Sequence, residues 1–151
     1  MLETIVKSFN ELNTTELYDL LQLRSEVFVV EQDCVYQDID GKDQKALHVL
    51  GYYNKTLVAY TRLFKAGDYF KDASIGRVVV KENQRQNSFG YDIMKASIEA
   101  VKIYFNTTQI KISAQTYLKR FYNNLNFYEI GEEYLEDGIP HIAMIYNEST
   151  I

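Results

Sequence analysis

The chain has 151 residues, 46% of them hydrophobic, which predicts one compact domain over 1–151 with a sizeable core. Sixteen Lys and Arg against 21 Asp and Glu give a net charge of −5 with no long basic block, which argues against nucleic acid or an anionic membrane surface as a partner. No window approaches the roughly 18 apolar residues of a membrane span, and the lone Cys34 excludes an internal disulfide or a thiolate metal site, so a cytoplasmic protein held together by packing, without a metal, is expected.

Residues 3–8 alternate as a first strand. Thr14 and Thr15 offer a helix N-cap, and Leu17, Leu20, Leu21, Arg24, Val27 and Phe28 follow at helical spacing to about residue 30. After the polar loop EQDCVYQDIDGKDQK come two strands, ALHVLGYY and TLVAYTRLFKA, joined tightly through Asn54 and Lys55, and then a third, SIGRVVV. From Ser88 a helix carries Ile93, Met94, Ile98, Val101 and Phe105 inward and ends near Asn106. The strand QIKISA, a short helix YLKRFYNNL stopping at Asn126, and two closing strands around the turn at 136–138 complete the order βαβββαβαββ.

The stretch RQNSFG at 85–90 lies between the strand ending Val78-Val79-Val80 and the long helix. A helix N-terminus exposes unpaired N–H groups and partial positive charge, so such a loop, with Arg85 adding a full charge, is one place for a diphosphate. Taken alone, with Gly90 as its one glycine, it is a weak signal and reads first as a plain loop with Asn87 or Ser88 capping the helix. Residues 38–43, DIDGKD, lack the twelve-residue calcium pattern with its closing Glu and are expected as a solvated turn. The acidic run 129–137 contains Ile130, Tyr134 and Leu135 and reads as strand and turn.

Spacing and order together resemble the GNAT acetyltransferase superfamily. Val80, Arg85, Ser88 and Gly90 occupy the places of its strand-end Val, its Arg or Gln, its first Gly and its final Gly or Ala, with Ser88 departing from the usual Gly. The blocks LYDLLQLRSEVFVVEQ, GRVVV, AQTYLKRFYNNLNF and GEEYLEDGIPHIAM resemble the ElaA-like branch in particular. The resemblance implies an α/β (α+β) fold: a mixed, mainly antiparallel sheet of six to seven strands, helices on both faces, splayed at the fourth and fifth strands. It also implies an N-acetyltransferase using acetyl-CoA as co-substrate on a primary amine of a small molecule, peptide or protein, by direct attack in a ternary complex.

In that family the fourth strand supplies main-chain N–H groups to the thioester and pantetheine, which maps to Val78, Val79 and Val80. The diphosphate maps to Arg85, Gln86, Asn87, Ser88, Phe89 and Gly90, where the absent Gly90 side chain lets the backbone approach closely. Gln115 stands at the family's strand-end Asn and Tyr122 falls seven residues later, at the place of a general acid; a ring packed in the core is the alternative for Tyr122. Glu31, His48 and His141 are the candidates for base or acceptor contact, each with a structural alternative, while Arg24 and Arg77 are candidates for positioning loops or binding acidic groups. The rival reading is a noncatalytic acyl-CoA-binding or interaction module, and exposed aromatic strands leave a homodimer open.

Overall fold

The computed structural model describes residues 1–148. The first strand, β1 (Glu3–Ser8), leads to α1 (Thr14–Arg24). Its cap is Asn13 rather than either threonine: the Asn13 side chain accepts from the Glu16 N–H at 2.7 Å and the Glu16 carboxylate accepts from the Asn13 N–H at 2.9 Å. Asn13 has the extended backbone a cap needs and a Glu three residues on, so two orphan donors are satisfied reciprocally. Beyond Arg24 the helix widens into π-helical turns over Ser25–Glu31, with Gln32 N–H donating to the Val27 carbonyl at 3.1 Å.

Strands β2 (Leu47–Tyr53), β3 (Thr56–Phe64) and β4 (Ala73–Val80) follow, then α2 (Phe89–Phe105), β5 (Ile110–Gln115), α3 (Lys119–Asn123), β6 (Phe127–Glu136) and β7 (Ile139–Tyr146). The seven strands lie in the order β1-β2-β3-β4-β5-β7-β6. Two-residue turns close β2–β3 and β6–β7. Asn54 and Lys55 have φ of 51° and 65°, and Asp137 and Gly138 have 51° and 78°, the left-handed pairs that match strand twist.

All pairings are antiparallel except β4 with β5, the strands joined by the α2 crossover. These two meet only at Ala73 opposite Ile110 and Ser74 opposite Lys111, and from Ile75 onward they separate. On its other edge β4 carries a bulge: Tyr60 pairs with Val79 and Arg62 with Gly76, so Arg77 and Val78 stand against Thr61 alone. Arg77 takes the turn with φ 48°. The bulge and the separation together leave the second half of β4 with backbone groups facing an opening instead of a neighbouring strand.

Both sheet faces are covered. Leu20, Leu23 and Val27 pack on Leu50, Leu57, Tyr60 and Val79 on one face. On the other, Ile93, Met94, Ile98 and Val101 of α2 join Val49, Ala59, Leu63, Ile75 and the β5–β7 side chains. Among the described residues no helix is long and apolar enough to cross a membrane.

Candidate functional site

The opening between β4 and β5 holds two cavities that share a wall. The larger, about 450 Å³, runs along Val79, Val80, Arg85, Ser88, Gly90 and Glu31. The smaller, about 110 Å³, is bounded by Tyr36, Arg77, Ser113, Glu136 and His141. Phe28, Gln32, Val78, Gln115, Leu118 and Tyr122 line both. The Gln32 and Gln115 side-chain amides face each other at 3.3–3.4 Å, tying the π-helical segment to the end of β5 across the split.

At the mouth of the larger cavity, Arg85 donates through Nε to the Val80 carbonyl at 3.1 Å. Its two terminal nitrogens reach the Glu31 carboxylate at 2.5 and 2.7 Å, a bidentate pair. That hydrogen bonding holds the Glu31 carboxyl below the usual carboxylate range, so Glu31 is an anion committed to Arg85. Gln86 and Asn87 turn back on their own loop, to the Asn83 carbonyl and the Gln84 side chain, and neither lines the cavity. The Phe89 ring is buried in the core against Tyr53, so only its backbone faces α2's start.

Ser88 stands at the N-cap position of α2, but its hydroxyl makes no capping bond, because its backbone is left-handed (φ 61°, ψ 22°) rather than extended. Left-handed geometry strains a residue with a Cβ by about 1–2 kcal/mol. Part of that is offset when glycine is introduced, because glycine loses more chain entropy on folding. Ser88→Gly is therefore expected to stabilise the fold by about 0.5–1 kcal/mol, raising Tm by roughly 2 °C in thermal unfolding. For Gly90 the nearest obstacle is protein: a Cβ there would lie 3.2 Å from Cε1 and Cζ of Phe121, so the glycine lets α2 close on α3.

Tyr122 on α3 is buried at 6% exposure, its ring edge-on to Phe121 and Phe127. Burial pushes its phenol well above the ordinary value, so it stays protonated at neutral pH. It stands where both cavities meet, with the β4 edge opposite.

The two histidines part company. His48 lines neither cavity: it is fully buried, with Nδ1 2.6 Å from the Tyr60 hydroxyl and Nε2 2.9 Å from the Asp43 carbonyl. Both ring nitrogens are used, and burial pushes its pKa down, so it is a neutral packing residue and does not reach the cleft as the sequence allowed. His141 lies on the wall of the smaller cavity.

The turn expected to be solvated at 38–43 is instead an ion network. Arg24, fully buried, donates to Asp38 Oδ2 at 2.9 Å, the Asp38 carbonyl at 2.9 Å and Asp43 Oδ1 at 2.8 Å. Arg62 holds Asp40 at 2.6 and 2.9 Å and shares Asp43 at 2.9 Å, and Arg77 Nε lies 2.7 Å from Asp38 Oδ1. Arg24 and Arg77 thus position the loop, which carries Cys34 and Tyr36 to the smaller cavity. Among the described residues no group of three or more His, Cys, Asp or Glu is placed to hold a metal.

Sequence reasoning missed Gln32, Ser113, Leu118 and Glu136. Gln32 ended a recognised block, and Glu136 was read only as part of an acidic turn.

The family model for the GNAT acetyltransferase domain matches residues 11–148. The chain is 44% identical over 137 residues to Protein ElaA of Escherichia coli, covering 89% of this chain and 90% of that protein. It is 41% identical to a UPF0039 protein of Schizosaccharomyces pombe, covering 95% of each. Among solved structures it resembles an acyl-CoA N-acyltransferase from Pseudomonas aeruginosa (TM-score 0.91, 38% identity, 97% of this chain and 100% of that one). It resembles the crystal structure of Escherichia coli ElaA with TM-score 0.90 at 41% identity, over 97% of this chain and 100% of that one.

Proposed function

The chain belongs to the GNAT acetyltransferase family, in its ElaA-like branch, and on that premise we propose that it is a single-domain, cytoplasmic enzyme that transfers an acetyl group from acetyl-CoA to a primary amine by direct attack in a ternary complex. The observation that carries this reading is the shared wall: a long cleft beside the start of α2 and a shorter polar cavity meet at one protonated phenol, Tyr122. Two substrates entering from opposite ends bring a thioester and an amine together there.

The residues divide the work as follows. The exposed N–H groups at the α2 N-terminus, over Ser88, Phe89 and Gly90, together with Arg85, suit a diphosphate; Gln86 and Asn87 contribute only through their backbone. The freed edge of β4 at Val78, Val79 and Val80 offers main-chain N–H groups to a pantetheine arm and thioester carbonyl, where fixed donors stabilise developing negative charge. Gln115, held by Gln32, borders the junction, and Tyr122 gives its proton to the departing thiolate.

Release of free thiol from acetyl-CoA across a panel of primary amines tests the reading. Turnover supports it; tight acetyl-CoA binding with no turnover on any amine would make the protein a noncatalytic binding module instead. The Glu31–Arg85 pair adds a second check, because a diphosphate must compete with Glu31 for the same guanidinium. A part-exposed pair is worth little, so Glu31→Gln is expected to tighten acetyl-CoA binding by about two- to fivefold in isothermal titration.

A further inference from the structure

His141 is 7% exposed, and one of its nitrogens is already assigned by geometry. Nδ1 lies 2.7 Å from the Ile139 carbonyl oxygen, which only accepts, so Nδ1 carries a proton and in the neutral ring Nε2 is the atom with the lone pair. Nε2 has no hydrogen bond to any described residue, on a ring that walls the smaller cavity, and it faces Glu136 Oε2 at 3.7 Å. Glu136 is itself braced: Ser113 Oγ donates to Oε1 at 3.0 Å, and Ser113 is hydrogen-bonded to the Tyr134 hydroxyl, whose ring stacks on His141 at 6.2 Å.

The charge on this cavity that is not taken up by the Arg77 ion pairs is negative. Glu136 and Asp137 both line it. The basic residue on its wall, Arg77, has its guanidinium engaged by Asp38 and Asp40. A substrate carboxylate would meet Glu136 with no free cation beside it, whereas an ammonium would be attracted.

We propose that this cavity seats a cationic amine bearing no carboxylate, with His141 Nε2 as the base that deprotonates it and Glu136 as the counter-charge for the imidazolium formed. This rests on the acetyl-transfer reading. The ammonium gives one proton to Nε2, and the freed nitrogen lone pair forms the C–N bond to the thioester carbonyl carbon. The C–S bond then breaks, and the thiolate takes the Tyr122 proton. The second nitrogen proton restores Tyr122, and His141 passes its proton to water, so ammonium and thioester give amide, thiol and one released proton.

The test uses the full chain with 1,4-diaminobutane and 4-aminobutanoate, acceptors of equal length whose far ends carry an ammonium and a carboxylate respectively. The diamine is expected to show at least a tenfold higher kcat/KM. His141→Gln should lower kcat about a hundredfold, the scale of a lost general base, with acetyl-CoA affinity unchanged as proof of folding. His141→Ala should regain activity with added imidazole, which a merely structural histidine would not show. Glu136→Gln should raise KM for the diamine several-fold. Native turnover with His141→Gln as fast as native, or preference for 4-aminobutanoate, overturns this proposal alone; no turnover of any amine by the native chain overturns the transferase reading and this proposal with it.

Discussion

Tyr122→Phe is expected to lower kcat about a thousandfold, roughly 4 kcal/mol of barrier, while leaving acetyl-CoA affinity and Tm within error of native. The ring makes the packing contacts, with centroids 5.0 Å from Phe121 and 6.1 Å from Phe127, and phenylalanine keeps them. Removing the hydroxyl leaves no described residue's polar group unpaired, since the contacts around this buried ring are aromatic. The loss therefore falls on the proton delivered to the thiolate. Burial raises this phenol's pKa, so the neutral donor persists above pH 10, where an ordinary tyrosine begins to ionise. At saturating amine, kcat should hold through pH 10; a fall there with unchanged circular dichroism would mean that the donor is not this buried phenol.

The strands were legible because their signals are local. Alternation placed β1 at its observed bounds, and Asn54 with Lys55 marked a turn whose positive φ values the structure bears out. What escaped depends on partners far along the chain. Asp38, Asp40 and Asp43 look like a wet turn until Arg24, Arg62 and Arg77 are folded against them. Gly90 reads as room for a phosphate, and nothing in the sequence signals that Phe121 of α3 also packs where its Cβ would be. The bulge in β4 gave no warning because its left-handed residue is Arg77, while Gly76 beside it has no positive φ. Tyr122 could be singled out by its spacing from Gln115 within the family resemblance, but its position between two cavities follows from the β4–β5 separation, which one strand's sequence does not encode.

Arg24→Met should be the most damaging single change to stability, about 3–5 kcal/mol, or roughly 10 °C in Tm. Three arginines and three aspartates balance in the network, and Arg24 has no exposure at all. Taking out one cation leaves Asp38 and Asp43 buried with less compensation, and an uncompensated buried charge costs more than the pair contributes. Arg24→Lys should rescue little, because one ammonium cannot reproduce three donors spread over a planar fork. The pH dependence follows from Asp43. Burial alone would raise its pKa, but hydrogen bonds and charge from Arg24 and Arg62 outweigh that and hold it below the usual carboxylate range. A carboxyl depressed on folding stabilises the native state above its unfolded pKa, about 3.9, and loses that contribution as pH falls through the folded value. Native Tm should therefore drop below about pH 4, and Arg24→Met, with Asp43 less depressed, should start from a lower Tm and lose less of it over the same acid range. Because the same arginine anchors the loop bearing Cys34 and Tyr36, the variant assayed well below its Tm should show a raised KM for amine with acetyl-CoA affinity retained. A variant as stable as native, with unchanged acid sensitivity, would mean that Arg62 and Arg77 alone satisfy the three carboxylates.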